Sequence, residues 1–291
     1  MGVDHYENFP VASWLCPPAL RAPITAIYRF ARCADDIADE GDAGAEERLA
    51  DLAAFRADLD AVAAGAPSSS RWPDVFGPLA EAIAGHRLPV LLLANLLDAF
   101  AQDAVQTRYA DRDELLDYCR RSANPIGRLL LHLHGIQTPA ALAQSDAICS
   151  ALQLANFWQD LGVDAGRGRL YVPAVDARRH GVEMEALLER RDSARVRALV
   201  HELVAWAREL MNSGVPLVHS IPGRAGWELR LVVQGGLRIL ERIDRLDGAT
   251  LLARPKIGVA DAALLAWRAL AMRRRGDPHA AAAQAARVDP P

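Results

Sequence analysis

What this chain lacks narrows its function before any motif is read. No run is both long and apolar enough to span a bilayer. The strongest, Leu88 to Phe100, contains Asn95 and Asp98 and falls short of the about 20 residues required. The N-terminus has no charged segment leading into an apolar core, so a signal peptide is not expected. The four cysteines (Cys16, Cys33, Cys119 and Cys149) form no CxxC or Cys/His pattern and read as buried, reduced thiols rather than a disulfide frame or zinc site. GxxxxGK and GxSxG are both missing, and Gly166-Arg167-Gly168 has no Rossmann context, which removes the common nucleotide and serine-hydrolase sites. His132-Leu133-His134 puts its imidazoles on different helix faces, which argues against a shared metal. With a net charge of −4 and no basic stripe interleaved with aromatics, nucleic acid is not an expected partner.

What is present is helical. Hydrophobic residues make up 51% of 291, enough for a sizeable core. Periodicity and breakers place helices at 20–40, 45–64, 79–84, 90–107, 111–122, 126–134, 139–160, 182–190, 193–211, 225–246 and 261–274. Pro23 reads as a start signal for the first helix, Gly65 to Pro78 as a loop, Gly162 to Arg179 as a glycine- and arginine-rich loop, and Ser193 as an N-cap. The residues before about Pro18 read as an extended arm and those after Gly276 as a flexible tail. No strand emerges. The expectation is an all-α, single-domain bundle over 1–275 with its site in the core between facing helices.

Two polar stripes stand out. In the first helix Tyr28, Arg32, Asp35 and Asp39 fall within about 60° of one another. Carboxylates one turn apart repel each other, and no lysine is interleaved. The bland reading is a wet, acidic helix end with Arg32 as an internal partner. Against it stands a second stripe, Gln153, Asn156, Asp160 and Asp164, within about 80° on a helix whose neighbours Leu152, Phe157 and Leu161 are apolar. Unpaired carboxylates are expensive to bury. Two oxygen-rich stripes suit Mg²⁺, which takes oxygen ligands and commonly bridges carboxylates to substrate phosphates.

The two stripes, followed by Gly168-Arg169-Leu170-Tyr171-Val172-Pro173, resemble the motifs of the squalene/phytoene synthase family of isoprenoid synthases. The likeness runs from about His5 to Arg254. Within the family, the stretch from His5 to Ser13 and the Phe157-Trp158-Gln159-Asp160 wording most resemble the bacterial hydroxysqualene synthase branch of hopanoid biosynthesis.

The resemblance implies an isoprenoid-synthase helical bundle with a central cavity, a prenyl or presqualene diphosphate substrate, and Mg²⁺ without a nicotinamide. Asp35, Asp39, Asp160 and Asp164 would hold metal, with Asn156 a further oxygen donor or substrate contact. Asp36 and Glu40 would stand behind them. Arg32 and Arg169 would contact diphosphate oxygens, since guanidinium suits phosphate geometry. Gln153 faces the same site. Tyr28 and Tyr171 would donate to the same oxygens or sit as core-edge tyrosines; both readings stay open. Arg254 and Lys256 would close the site from the C-terminal side or be ordinary exposed cations. Phe30, Phe157, Trp158 and the helix from Leu88 are lining candidates. A cytoplasmic location is expected, with peripheral contact at the inner membrane left open because isoprenoids partition into lipid.

Two departures from the family pattern carry expectations. Tyr118-Cys119-Arg120-Arg121-Ser122-Ala123-Asn124-Pro125-Ile126-Gly127 replaces a small apolar run, and Pro125 should break the helix. Asn124 would then orient a water for capture of a carbocation, or serve as a cap. Gln159 stands where the family often has Arg, so a diphosphate contact would be missing or relocated. The reaction expected is conversion of presqualene diphosphate to hydroxysqualene. The alternatives are condensation of two prenyl diphosphates and a noncatalytic assembly partner.

Overall fold

The computed structural model describes residues 17–272. The expected N-terminal arm, the stretch from His5 to Ser13 and the tail from Gly276 lie outside the described residues. Twelve α-helices and one 3₁₀ turn make up the regular structure, and among the described residues there is no strand, only one isolated bridge between Tyr109 and Pro173. No described helix is long and apolar enough to cross a membrane.

α1 (Pro18–Asp39), α2 (Ala45–Ala63), α3 (Pro73–His86) and α4 (Val90–Asp103) pack around Phe30, Phe55 and Phe76, whose rings sit 5.2 Å (Phe30–Phe55) and 4.7 Å (Phe55–Phe76) apart. α5 (Arg112–Ser122) and α6 (Asn124–Leu133) lead into α7 (Pro139–Gly166), the long helix that packs on α5, α6, α10 (Ala194–Gly214) and α11 (Gly223–Arg245). Between them lie α8 (Ala174–Arg179), α9 (Met184–Leu188) and the 3₁₀ turn Val215–His219; α12 (Val259–Ala271) rests on α11. The close approach of α6 to α7 depends on Gly127, where a Cβ would stand 2.4 Å from Ser145 Oγ.

Several boundaries differ from the sequence reading. Pro23 does not start α1. The helix begins at Pro18 and carries Pro23 as its sixth residue, close enough to the N-terminus that only about one backbone bond is lost. α3 begins at Pro73, inside the expected loop, with Pro73 in the first turn and Pro78 one turn further on. Proline is tolerated early in a helix because the first N–H groups have no intrahelical partner. α4 stops at Asp103, a turn earlier than expected. α7 runs past Gly162 to Gly166, so the whole second stripe is helical, and α8 occupies part of the expected Gly162–Arg179 loop. Ser193 does cap α10, accepting from the Val196 N–H. The expected break near Pro125 falls at Ala123, between α5 and α6.

Candidate active site

One cavity of about 980 Å³ opens between the two halves of the bundle. α1 supplies one wall through Tyr28, Arg32, Asp35 and Asp39; α7 supplies the facing wall through Gln153, Asn156, Phe157, Asp160 and Asp164. Arg169 and Tyr171 reach in from the segment after α7, and Arg254 from the segment before α12. Away from these groups the lining is largely apolar, with Ile24, Ile27, Leu130, Ile148, Leu229 and Val232. Of Asp35, Asp39, Asp160, Asp164, Arg32, Arg169, Gln153, Asn156, Tyr28, Tyr171 and Asn124, all but Asn124 therefore meet at one cavity.

Asn124 is the exception. It is not among the lining residues. Its side chain is buried and its Oδ1 accepts a 2.9 Å hydrogen bond from Ser150 Oγ. It also makes no side-chain cap. As the first residue of α6 it points to α7 and ties the two helices together, which corrects the expectation of a water-orienting amide. Phe30 and Trp158 are likewise fully buried core residues, and of the Leu88–Phe100 run only Phe100 reaches the cavity. Phe157 does line it, stacked at 3.7 Å and 5° on Tyr171.

Guanidinium groups hold most of the acidic rim. Arg32 bonds Asp35 at 3.0 Å and Glu40 at 2.8 Å and pairs with Asp36 at 2.6 Å. Arg167 donates to Asp39 at 3.1 Å, and Arg169 donates to its other oxygen. Arg254 takes both oxygens of Asp160. Two carboxyls remain poorly compensated. Burial, then the charge of Asp160 one turn away, pushes Asp164 up to about 7 against the pull of Arg167 and Arg169. Burial likewise lifts Asp103 to about 7, although Tyr118 donates to its Oδ2 at 2.7 Å and Arg169 lies near. Desolvation raises the phenols of Tyr109, Tyr118 and Tyr171, which therefore stay protonated donors.

Sequence reasoning missed Asp103, which falls inside the apolar helix expected over 90–107 and drew no functional reading there. It sits four residues after Ala99, a fully buried position of the same helix, and that spacing was the available signal. Arg167 was missed in a loop of several arginines. Gln159 faces away from the cavity: it is almost fully buried and its Nε2 donates at 2.7 Å to the Pro255 carbonyl. It thereby fixes the segment from which Arg254 enters, so a cation is brought in beside the position that lacks one. Lys256 is exposed and does not line the cavity.

Among the described residues, no three His, Cys, Asp or Glu side chains converge as a preformed ion cage, because the rim carboxylates are turned onto arginines. The donor set nevertheless fits a hard divalent cation. Only carboxylates and amides are offered from facing helices, and burial penalises the charged form of Asp164 and Asp103, a penalty that a cation beside them would offset.

An all-α bundle enclosing an apolar cavity with an acid- and arginine-rich rim suits a diphosphate with a hydrocarbon tail. The comparisons give the family. A model described as squalene/phytoene synthase matches residues 3–261. The hydroxysqualene synthase of Sinorhizobium fredii (strain NBRC 101917 / NGR234) is 34% identical over 243 residues, 83% of this chain and 80% of that protein. The phytoene synthase of Cereibacter sphaeroides is 33% identical over 210 residues, covering 70% of this chain and 58% of that protein. The crystal structure of squalene synthase HpnC from Alicyclobacillus acidocaldarius superposes with a TM-score of 0.77 at 35% identity, over 84% of this chain and 90% of that one. The chain belongs to the squalene/phytoene synthase family and is an enzyme of isoprenoid biosynthesis. The noncatalytic alternative is set aside. The family acts on prenyl diphosphates and generally depends on a divalent metal.

Proposed function

We propose that the enzyme ionises presqualene diphosphate and directs water onto the resulting carbocation, releasing hydroxysqualene and diphosphate. The observation that carries this reading is the facing of the α1 and α7 acidic rims across the mouth of one apolar cavity. The likeness to hydroxysqualene synthases over four-fifths of the chain supports the choice of reaction.

Asp35, Asp39, Asp160 and Asp164 would hold Mg²⁺, with Asn156 and Gln153 beside them on α7. When bound, Mg²⁺ supplies positive charge that stabilises the departing diphosphate. Arg32, Arg169 and Arg254, which spend their donors on the rim carboxylates, are placed to exchange them for diphosphate oxygens as the leaving group gains charge. The phenols of Tyr28 and Tyr171 face the same region and would donate to it. Behind them Phe157, stacked on Tyr171, and the aliphatic lining keep bulk water from the cation.

The condensing reading has its own support in the phytoene synthase likeness. The discriminating experiment is incubation of the pure protein with presqualene diphosphate, with and without Mg²⁺ and without nicotinamide, followed by mass spectrometry. A triterpene alcohol with the mass of hydroxysqualene, formed only with the metal, is the expected product. Failure to turn over that substrate, with diphosphate released from farnesyl or geranylgeranyl diphosphate alone, would assign the chain to condensation.

A further inference from the structure

A surface helix ordinarily turns its charged residues to water and its apolar residues to the core. α12 does the reverse. Its two charged residues, Asp261 and Arg268, are spent on α11. Asp261 is buried and accepts from Arg238 and Arg242, each at 2.8 Å, and Arg268 donates to Glu241 at 2.5 Å. These ion pairs clamp the helix in one rotation about its axis. Every exposed position from Val259 to Ala271 is then Val, Ala, Trp or Leu. At 100° per residue those positions cover about half the circumference of the helix, and Val259, Trp267 and Leu270 stand 93%, 64% and 65% exposed. An apolar face of this kind, held out rather than folded in, marks an interaction surface.

We propose that the outer face of α12 docks on an anionic lipid surface. Charge selects this occupant. From Gly248 to Arg275 the sequence holds six cations (Arg254, Lys256, Arg268, Arg273, Arg274 and Arg275) against the single acid Asp261, in a protein whose net charge is −4. Three of the six follow directly on the helix, where basic residues beside an apolar face attract anionic headgroups. Size argues against a second copy of the chain. Thirteen residues make a helix about 20 Å long and about 10 Å wide, a face of roughly 200 Å², well short of the about 800 Å² per partner of a stable interface. The same length is too short to span a bilayer, so the helix lies on the surface with Trp267 at the headgroup level. α12 begins five residues after Arg254, whose side chain lines the cavity, so at most about 17 Å of backbone separates that cation from the docked face. Docking brings the cavity close to the phase in which a prenyl chain dissolves, whichever reaction the cavity performs.

The test is co-sedimentation of the full chain with vesicles of phosphatidylcholine alone or mixed with phosphatidylglycerol, at low and high salt. The parent is expected to bind the anionic vesicles at least about tenfold more tightly than the neutral ones, a preference that fades as salt rises. Trp267→Glu combined with Leu270→Glu is expected to weaken binding to the anionic vesicles at least about tenfold. Its circular dichroism and melting temperature should match the parent, because both side chains stand in water. Replacing Arg273, Arg274 and Arg275 together by Gln should erase most of the anionic preference, about tenfold or more. A parent that binds neither vesicle, or a Trp267→Glu/Leu270→Glu variant that binds as the parent does, would overturn the proposal. So would a clear fall in that variant's melting temperature, which would mean that residues 273–291 of the same chain cover the face. A parent that sediments as a dimer, with the variant monomeric, would assign the face to a second copy and overturn the lipid assignment as well.

Discussion

Arg254 holds both carboxylate oxygens of Asp160, a residue 94 positions earlier in the chain. The same carboxylate is one of the four proposed to hold Mg²⁺, so arginine and metal compete for it until substrate supplies the arginine with a better partner. Replacing Arg254 by Gln removes the competitor and a diphosphate donor together. Steady-state kinetics on this variant should show kcat/KM reduced about 10- to 100-fold, the size of one lost charge-assisted contact. Mg²⁺ binding without substrate should be no weaker than in the parent by titration calorimetry.

The acidic rim separates activity from stability. Asp35→Asn or Asp160→Asn should abolish turnover while the helical circular dichroism persists. Near-normal activity in either would remove that residue from the metal set. Asp164→Asn should be inactive as well, yet melt at a higher temperature than the parent in metal-free buffer at pH 7.5, because it removes a charge that burial penalises.

The pH dependence has a definite sign. Burial raises Asp164 and Asp103 from 3.8 to about 7 in the folded state. The stability these groups contribute is fully present below the unfolded value and is lost as pH rises through about 7. Metal-free protein should therefore melt at a higher temperature at pH 5.5 than at pH 7.5. A cation reverses the preference: Mg²⁺ with inorganic diphosphate should raise the melting temperature more at pH 7.5, because at pH 5.5 protons occupy the carboxyls. Thermal scans at the two pH values, with and without the ions, check both halves.

The segment that delivers Arg254 is held by two contacts with α7. Gln159 Nε2 meets the Pro255 carbonyl, and the Gly162 N–H donates at 3.3 Å to the Thr250 carbonyl. A Cβ at Gly162 would lie 2.4 Å from the Leu251 carbonyl oxygen. Gly162→Ala should cost about 1–3 kcal/mol by urea unfolding, the scale of an overpacked core. Gln159→Ala should cost about as much by orphaning a buried carbonyl. Both should also reduce kcat/KM, whereas a purely local defect would lower stability alone.

The residues legible in the sequence were those whose role follows from a helical period. Asp35, Asp39, Asp160 and Asp164 could be put on two faces because 3.6 residues per turn fixes which side chains align, and the structure sets those faces across one cavity. What the period could not supply was orientation between helices. Asn124 looked like a cavity residue because it follows a break, but the first turn of α6 points it at Ser150 on α7. Gln159 looked like a lost diphosphate contact because the family often has Arg at that position, yet it is one step round the helix from Asp160 and faces a different segment. Asp103 hid at the end of an apolar helix. Pro73 and Pro78 were read as loop because proline breaks helices, although the first turn tolerates Pro73 and Pro78 lies only one turn further on.

The pairing of Asp160 with Arg254 also sets an order of events during synthesis. At about 5–20 residues per second, the 94 positions separating the two take on the order of ten seconds to translate. For that interval the nascent chain carries Asp160 without the guanidinium that the finished protein lays against it. Asp160 is thus exposed to counterions before its own cation exists, and the site is completed only when the loop carrying Arg254 arrives.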